Sequence, residues 1–539
     1  MADVIEADVI IVGSGVAGAL LAARLAQAGA RVAILEAGDE VDRATALDRF
    51  LRAPIKVPES AYPPVPEAPH PVAHRPGDWY GQDGPDAFSS TYLKAVGGTT
   101  WHWLGTALRF LPQDFRMRAA YGVGLDWPFA LDELAPFYAE AESELGVSGD
   151  AAQEAGGVAR AAYPMPAIPQ TYQDRLLAAK LEGSPYRVSP TPQARNAVER
   201  GGRPACCGSA SCIPVCPIQA KYDATVHVRQ AVAAGARLFP RTTAVRVETG
   251  PDRRVSGIRF RRWDGSEGRA TGQAYVLAAH GIETPRLLLH SAGDANPRGV
   301  ANSSDQVGRN LMDHPTQMSW ALANEPVYPY RGPLSTSGIE NLRDGEFRGR
   351  RGAFRIEIGN DGWSWPNGAP VSTAREFAAQ GLRGAALATA LREHAARHVR
   401  LASLVEQLPD AGNRVSLDPV RRDANGVPLP RITFRLDDYV RAGLEAARAA
   451  HADIFARLGT TGLRHAERVF GAGHIMGTWR MGTDPRTSVV DPQLRSHDHR
   501  NLFLVGSGAF PTSATANPTL TIAALALRAA RPVLETLRG

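Results

Sequence analysis

All four cysteines of this 539-residue chain fall within eleven positions, Cys206-Cys207-x4-Cys212-x3-Cys216-Pro217. Thiolates at that density hold zinc or iron–sulfur clusters, whereas cysteines meant for disulfides are usually spread along a chain. A zinc site generally shows two Cys-x2–4-Cys arms. Only Cys212 and Cys216 make one here, and adjacent Cys206 and Cys207 on an extended chain point to opposite sides. Three ligands and a spare suit a three-iron cluster. Zinc, or a pair of local disulfides, stays open on spacing alone.

A second chemistry is written near the N-terminus as Gly13-x-Gly15-x-x-Gly18. The first glycine permits a tight strand-to-helix turn. The second lets the backbone approach a pyrophosphate, and the third lets the helix pack on the strand. The helix start offers unpaired N–H groups to the phosphates. Glu36, eighteen positions after Gly18, can accept hydrogen bonds from an adenosine ribose and disfavours NADP. The motif does not separate FAD from NAD. The paired glycines of Gly97-Gly98-Thr-Thr-Trp-His102-Trp103 suggest backbone approaching a flat ligand, although a turn beside a core Trp pair reads the same way. His474 lies in Gly473-His-Ile-Met-Gly-Thr, and Asn517 precedes Pro518 at the start of an apolar helix, where it could serve as an N-cap. Residue type and spacing alone do not single out these last two.

These groups need a scaffold. Residues 8–12 and 31–35 read as buried strands around a helix ending near Ala28, a βαβ unit of a parallel sheet. Residues 54–76 carry eight prolines and read as an ordered surface excursion. Apolar spacing predicts a helix over 131–145. Residues 203–222 read as an irregular loop. A buried strand at 274–279 precedes a helix at about 284–291. Residues 374–405, rich in Ala and Arg, read as helical; 431–436 as a strand; 438–458 as a helix. The end returns to a strand at 502–505 and a helix at 518–530. The expectation is an α/β fold in which nucleotide-binding pieces at both ends enclose substrate-binding pieces.

Composition sets the outer limits. Apolar residues make up 44% and charged residues 21%, as in ordinary globular proteins, which excludes disorder and fibrous repeats. The net charge is +5, and the basic residues, only four of them Lys, are scattered, so no nucleic acid is implied. No run of eighteen apolar residues exists to span a bilayer. Met1–Glu6 is acidic and leads straight into an apolar strand, unlike a signal peptide, which taken alone reads as cytoplasmic.

Several longer stretches resemble the glucose–methanol–choline (GMC) family of flavin oxidoreductases over nearly the whole chain. They are the glycine motif with Leu35-Glu-Ala-Gly38, Gly281-Ile-Glu-Thr-Pro-Arg through Gly293, Val307-Gly-Arg-Asn-Leu-Met-Asp-His-Pro315, and His474-x-x-Gly-Thr-x-x-Met-Gly482. Ile282 departs from the usual small residue. Ala95 to Trp103, Tyr121-Gly-Val-Gly-Leu-Asp-Trp-Pro128 and the cysteine insertion are most similar to catalytic subunits of bacterial membrane-bound sugar dehydrogenases.

The resemblance implies a Rossmann-like FAD-binding domain interleaved with an α+β substrate-binding domain. The FAD-binding parts would be 1–110, 226–315 and 465–539, the last carrying the catalytic residues. A cap region would fill 111–200, the cluster loop 201–225 and the substrate domain 316–464. It implies FAD rather than NAD, with His474 and Asn517 as the catalytic pair. Cys206, Cys212 and Cys216 would hold a [3Fe-4S] cluster. Cys207 would be the spare, a candidate for a disulfide to a partner subunit. In relatives with a Thr-His-Trp version of the glycine segment the His is covalently joined to the flavin. His102 stands at that place, with Trp101 replacing the Thr. The implied activity is dehydrogenation of a sugar, glucose at C1 being the first expectation and a glycoside at C3, gluconate or an alditol the others. Electrons would leave through the cluster to a cytochrome c subunit. A small subunit bearing the export signal would carry the chain to the periplasm, at the inner membrane only through its partners. A GMC oxidase, an enzyme of a non-sugar alcohol, a structural zinc protein and a flavin/iron–sulfur carrier without its own substrate are the competing readings.

Overall fold

A computed structural model describes residues 3–54, 57–72, 75–153, 162–361 and 368–538. Three apolar stretches, Val9–Val12, Val32–Leu35 and Ala274–Leu277, are buried along their whole length. Strands buried on both faces pair in parallel beneath covering helices. They do so here with Arg237–Phe239 and Leu502–Leu504, in the order 502, 274, 9, 32, 237 by first residue. Helix Val16–Gln27 packs against Thr519–Thr536 and Thr225–Ala233, and Leu131–Leu145 packs on Thr519–Thr536. The first and last elements of the chain thus share one layer.

The second large layer is antiparallel. Strands Thr461–His465, Pro315–Leu322, His398–Val405, Phe354–Gly359, Ser337–Ile339 and Val188–Pro190 lie side by side, and Phe470–Gly471 adds to Pro315–Leu322. This sheet draws on residues from both sides of the boundaries expected at 315, 464 and the end of the cap. A four-stranded sheet of Asp3–Glu6, Glu267–Thr271, Val255–Arg262 and Thr242–Thr249 flanks the parallel one. Among the described residues no helix is long and apolar enough to cross a membrane.

Two expectations are corrected. Residues 374–405 are not helical throughout: helices Val371–Ala379 and Gly384–Arg397 give way to strand His398–Val405. That strand is buried at every position and pairs on both sides, so ladder hydrogen bonds and burial override the helix preference of Ala and Arg. The proline-rich segment is not merely a surface excursion. Its residues 55, 56, 73 and 74 lie outside the described residues. Ala61 and Tyr62 are buried against Leu93, Trp101 and Val215, and Tyr62 donates to the Pro214 carbonyl at 2.8 Å.

The layers are joined by a buried ion cluster. Arg348 donates to Asp114 at 2.7 Å and to Glu406 at 2.6 Å and 3.2 Å, with all three side chains fully enclosed. Tyr439 adds a hydrogen bond to Glu406 at 3.0 Å. A buried ion pair adds little over apolar packing, but removing one partner strands a charge. Arg348→Met leaves two carboxylates unpaired and is expected to cost about 3–5 kcal/mol in chemical denaturation. An unchanged denaturation midpoint would show that the cluster does not hold the layers together.

Candidate active site

A cavity of about 450 Å³ runs between the carboxyl edge of the parallel sheet and one face of the antiparallel sheet. At the parallel edge the chain turns out of Val9–Val12 through Gly13 at φ +97°. A Cβ there would stand 2.6 Å from the Ala278 carbonyl oxygen, and one on Gly18 would run into the Gly13 carbonyl. Gly15, by contrast, faces open space. Two of the three glycines are thus demanded by packing. The third leaves room for a ligand at the start of the helix, where backbone N–H groups lack partners.

Glu36, expected as a ribose acceptor, lines the same end of the cavity. One of its oxygens accepts from the Ser14 N–H at 2.9 Å and the Ser14 hydroxyl at 2.7 Å. The other accepts only from the Gly38 N–H, at 2.9 Å. A carboxylate oxygen can accept twice, so that second oxygen keeps capacity for a hydroxyl. Gly97 donates to the Ser14 hydroxyl at 3.2 Å, and a Cβ on Gly98 would stand 3.1 Å from Gly15 Cα. The two glycine segments therefore meet. His102 also lines the cavity, and its buried Nε2 has no hydrogen-bond partner.

At the other end His474 and Asn517, 43 positions apart, come together, with Asn517 Nδ2 3.4 Å from His474 Nε2. Asn517 does not serve as an N-cap: the cap of the following helix is Pro518, with no side-chain cap bond. Two groups missed by the sequence reading hold the pair. Asp313 accepts the backbone N–H groups of His474 at 2.8 Å and His314 at 2.7 Å. The His314 ring bridges the Ala514 carbonyl, 3.0 Å from Nε2, and His474 Nδ1, 2.8 Å from Nδ1.

This bridge decides where the protons are. Burial pushes His314 down to about 4 and His474 well below the usual imidazole range, so both rings are neutral. A carbonyl only accepts, so His314 carries its proton on Nε2, leaving Nδ1 bare. His474 must then donate from Nδ1, which leaves its Nε2 with a free lone pair. Arg355 reaches Asn517 Oδ1 at 3.5 Å, turning the amide NH₂ toward that lone pair. The arrangement is a neutral base beside a polar amide at one end of the cavity. Asp313 and His314 stood in a stretch already matched to a family, but nothing local marked them.

The four cysteines are free thiols; Cys212 and Cys216 are buried, Cys206 half-buried and Cys207 exposed. None lines the cavity, although Ile213 from their loop does. Among the described residues no three His, Cys, Asp or Glu side chains converge as ligands to a single metal ion. The surroundings are cationic. Burial pushes the Cys206 thiol up, an effect only partly offset by Arg195, which has two buried guanidinium nitrogens without partners among the described residues. The Lys221 backbone N–H donates to Cys216 Sγ at 3.4 Å. Its ammonium, pushed down to about 8 by burial, donates to the carbonyls of Trp101 at 2.9 Å and Trp103 at 2.6 Å. Arg43 lies over the Trp101 ring and donates to the Cys216 carbonyl at 2.7 Å. The cysteine loop is therefore clasped to the segment that carries His102. Neither Lys221 nor Arg195 stood out in the sequence.

Family models described as GMC oxidoreductase match residues 178–316 and 409–526, and one described as an NAD(P)-binding Rossmann-like domain matches 11–42. The chain is 38% identical over 549 residues to the fructose dehydrogenase large subunit of Gluconobacter japonicus, with 99% of each chain covered. The chain belongs to the GMC oxidoreductases. It is also 30% identical to paromamine 6'-oxidase of Streptomyces fradiae, covering 98% of this chain and 92% of that one. It is 25% identical to the gluconate 2-dehydrogenase flavoprotein of Pantoea cypripedii, covering 98% and 94%. Among solved structures, pyridoxine 4-oxidase from Mesorbium loti aligns with a TM-score of 0.61 at 21% identity over 98% of this chain and 99% of that one, which bears on the fold alone.

With the family in hand, the α/β GMC fold and an FAD-dependent oxidoreductase acting on CH–OH groups follow. FAD suits the cavity: open space at Gly15 for a pyrophosphate, an oxygen of Glu36 for a ribose, and the unpartnered nitrogen of His102. Gly15→Ala is expected to fold with a melting temperature near the parent's yet copurify with much less FAD, whereas Gly18→Ala is expected to lose about 1–3 kcal/mol of stability through overpacking. Equal FAD content in Gly15→Ala and parent would remove the phosphate role. The neutral histidines set a pH dependence too. His314 at about 4 and His102 at about 3 are neutral in the fold but take protons near 6.5 when unfolded. Stability is therefore full above pH 6.5 and is lost as pH falls from 6.5 toward 3. A melting temperature flat across that window would contradict the buried neutral rings.

Proposed function

We propose that this chain is the catalytic subunit of a sugar dehydrogenase, oxidising a sugar hydroxyl and passing electrons to an external carrier. The observation that carries the reading is the unprotonated Nε2 of His474, which faces the Asn517 amide at 3.4 Å. Removing a hydride from an alcohol carbon builds positive charge there unless the hydroxyl proton leaves as well. His474 Nε2 accepts that proton, and a neutral imidazole suits the task. The His474 ring cannot turn away, because Nδ1–H is held by His314. Asn517 donates to the substrate oxygen and keeps the C–H bond oriented. FAD, when bound, supplies the two-electron acceptor, and His102 is the candidate attachment point.

Cys206, Cys212 and Cys216 would hold a [3Fe-4S] cluster. The cations of Arg195 and Lys221 support an anionic centre there. A cluster supplies one-electron transfer, which favours a dehydrogenase over an oxidase. The relative described as a large subunit supports a multisubunit assembly. The partners we propose are a small subunit with an export signal, bonded through exposed Cys207, and a cytochrome c subunit, in the periplasm at the inner membrane.

Fructose takes first place among substrates, ahead of glucose at C1, because the fructose dehydrogenase relative covers the full chain. Under anaerobic conditions fructose is expected to bleach the flavin absorbance, and in air an artificial dye is expected to be reduced without peroxide. His474→Ala should retain FAD while single-turnover bleaching slows by about 10²–10⁴-fold. Cys212→Ser should lose iron and sulfide and slow delivery to the dye while bleaching continues. Normal bleaching in His474→Ala refutes the base, and full iron content with normal output in Cys212→Ser refutes the cluster ligand.

A further inference from the structure

The antiparallel sheet presents an unexplained set of polar side chains to the cavity. In the register that pairs Glu357 with Ala402 and Gly359 with Arg400, alternate residues share one face. Arg355, Glu357, Arg400, Ala402 and Leu404 therefore project together, joined by Met318 opposite Ala402 on the next strand. All but Arg355 line the cavity that also contains His474 and Asn517. Arg355 nevertheless ties the face to the reacting end, reaching Asn517 Oδ1 and Glu357 Oε2 at 3.5 Å each.

The charges on this face are matched. Arg355 makes close bonds of 2.8 Å and 3.0 Å to Glu340, and Arg400 bonds Asp361 at 3.0 Å. Glu357 is the carboxylate left with only a 3.5 Å contact to Arg355, its side chain 12% exposed. Arg468 at the rim adds one positive charge, so the wall balances. An aldonate would set its carboxylate against Glu357, and an ammonium sugar would meet Arg355 and Arg400. A neutral polyol instead offers hydroxyl donors to the carboxylate and acceptors to the guanidinium. The apolar Met318 and Leu404 cover its C–H face. A carboxylate that can accept two hydroxyls, next to a guanidinium, is how proteins meet vicinal diols without importing charge.

We propose that Glu357 and Arg400 bind the non-reacting hydroxyls of a neutral, polyhydroxylated substrate and so determine specificity. The inference rests on the sugar-dehydrogenase reading and goes beyond it by excluding charged sugars. The test uses the FAD-loaded full chain and three compounds: fructose, gluconate and the small diol 2-methyl-1,2-propanediol. In Glu357→Gln the ratio of kcat/KM for fructose to that for the diol is expected to fall about tenfold or more, carried by KM rather than kcat, while the relative rate on gluconate rises. Glu357→Asp, which keeps the charge on a shorter arm, should recover part of the fructose preference and none of the gluconate gain. FAD content and melting temperature report whether each variant is folded. If the parent is bleached by fructose but Glu357→Gln leaves the ratio as it was, or lowers both substrates equally, this assignment is wrong and the sugar reading stands. If no neutral sugar bleaches the parent, both are wrong.

Discussion

Two imidazole rings locked nose to nose organise this active site. His314 and His474 sit 2.8 Å apart in a buried place where neither can hold a charge cheaply. One proton between two nitrogens, and a carbonyl behind the first ring, leave a single tautomer pattern. Every other feature serves or depends on that pattern. Asp313 clamps the backbone on both sides of it, and Asn517 and Arg355 complete the hydrogen bonds at its open end.

The cysteine loop poses a different constraint. Left loose, it would have no defined distance to the segment that carries His102. Lys221 and Arg43 remove that freedom. One spans from the cysteine loop to the carbonyls of Thr100, Trp101 and Trp103, and the other lies over the Trp101 ring while holding the Cys216 carbonyl. Burying an ammonium among carbonyls is costly unless every donor finds an acceptor, and this one does. The proline-rich segment closes the assembly from outside through Tyr62, so stiffness near the cofactor comes from three separate parts of the chain.

The cavity also shows how one fold can serve several alcohols. The end with His474 and Asn517 is built from loops at the edge of the parallel sheet, and the other wall from one face of the antiparallel sheet. The two ends are linked through Arg355, which contacts both Asn517 and Glu357.

Much of this was readable along the chain where the physics is local. The glycine turn, the helix it opens and Glu36 lie within one βαβ unit, so spacing alone predicts the nucleotide end. The helix at 131–145 follows from apolar periodicity, and the cysteine cluster from crowding. His474 and Asn517 needed a family resemblance, since an isolated His or Asn has no periodic signature. Tertiary structure alone decided the rest. Strand 398–405 looks helical by composition because its sheet partners, 354–359 and 315–322, lie far away in sequence. For the same reason His314, Glu357, Arg400 and Lys221 were invisible: each matters only through a neighbour supplied by a distant segment. Proton positions, likewise, are properties of a burial and a contact that exist only once the chain has folded.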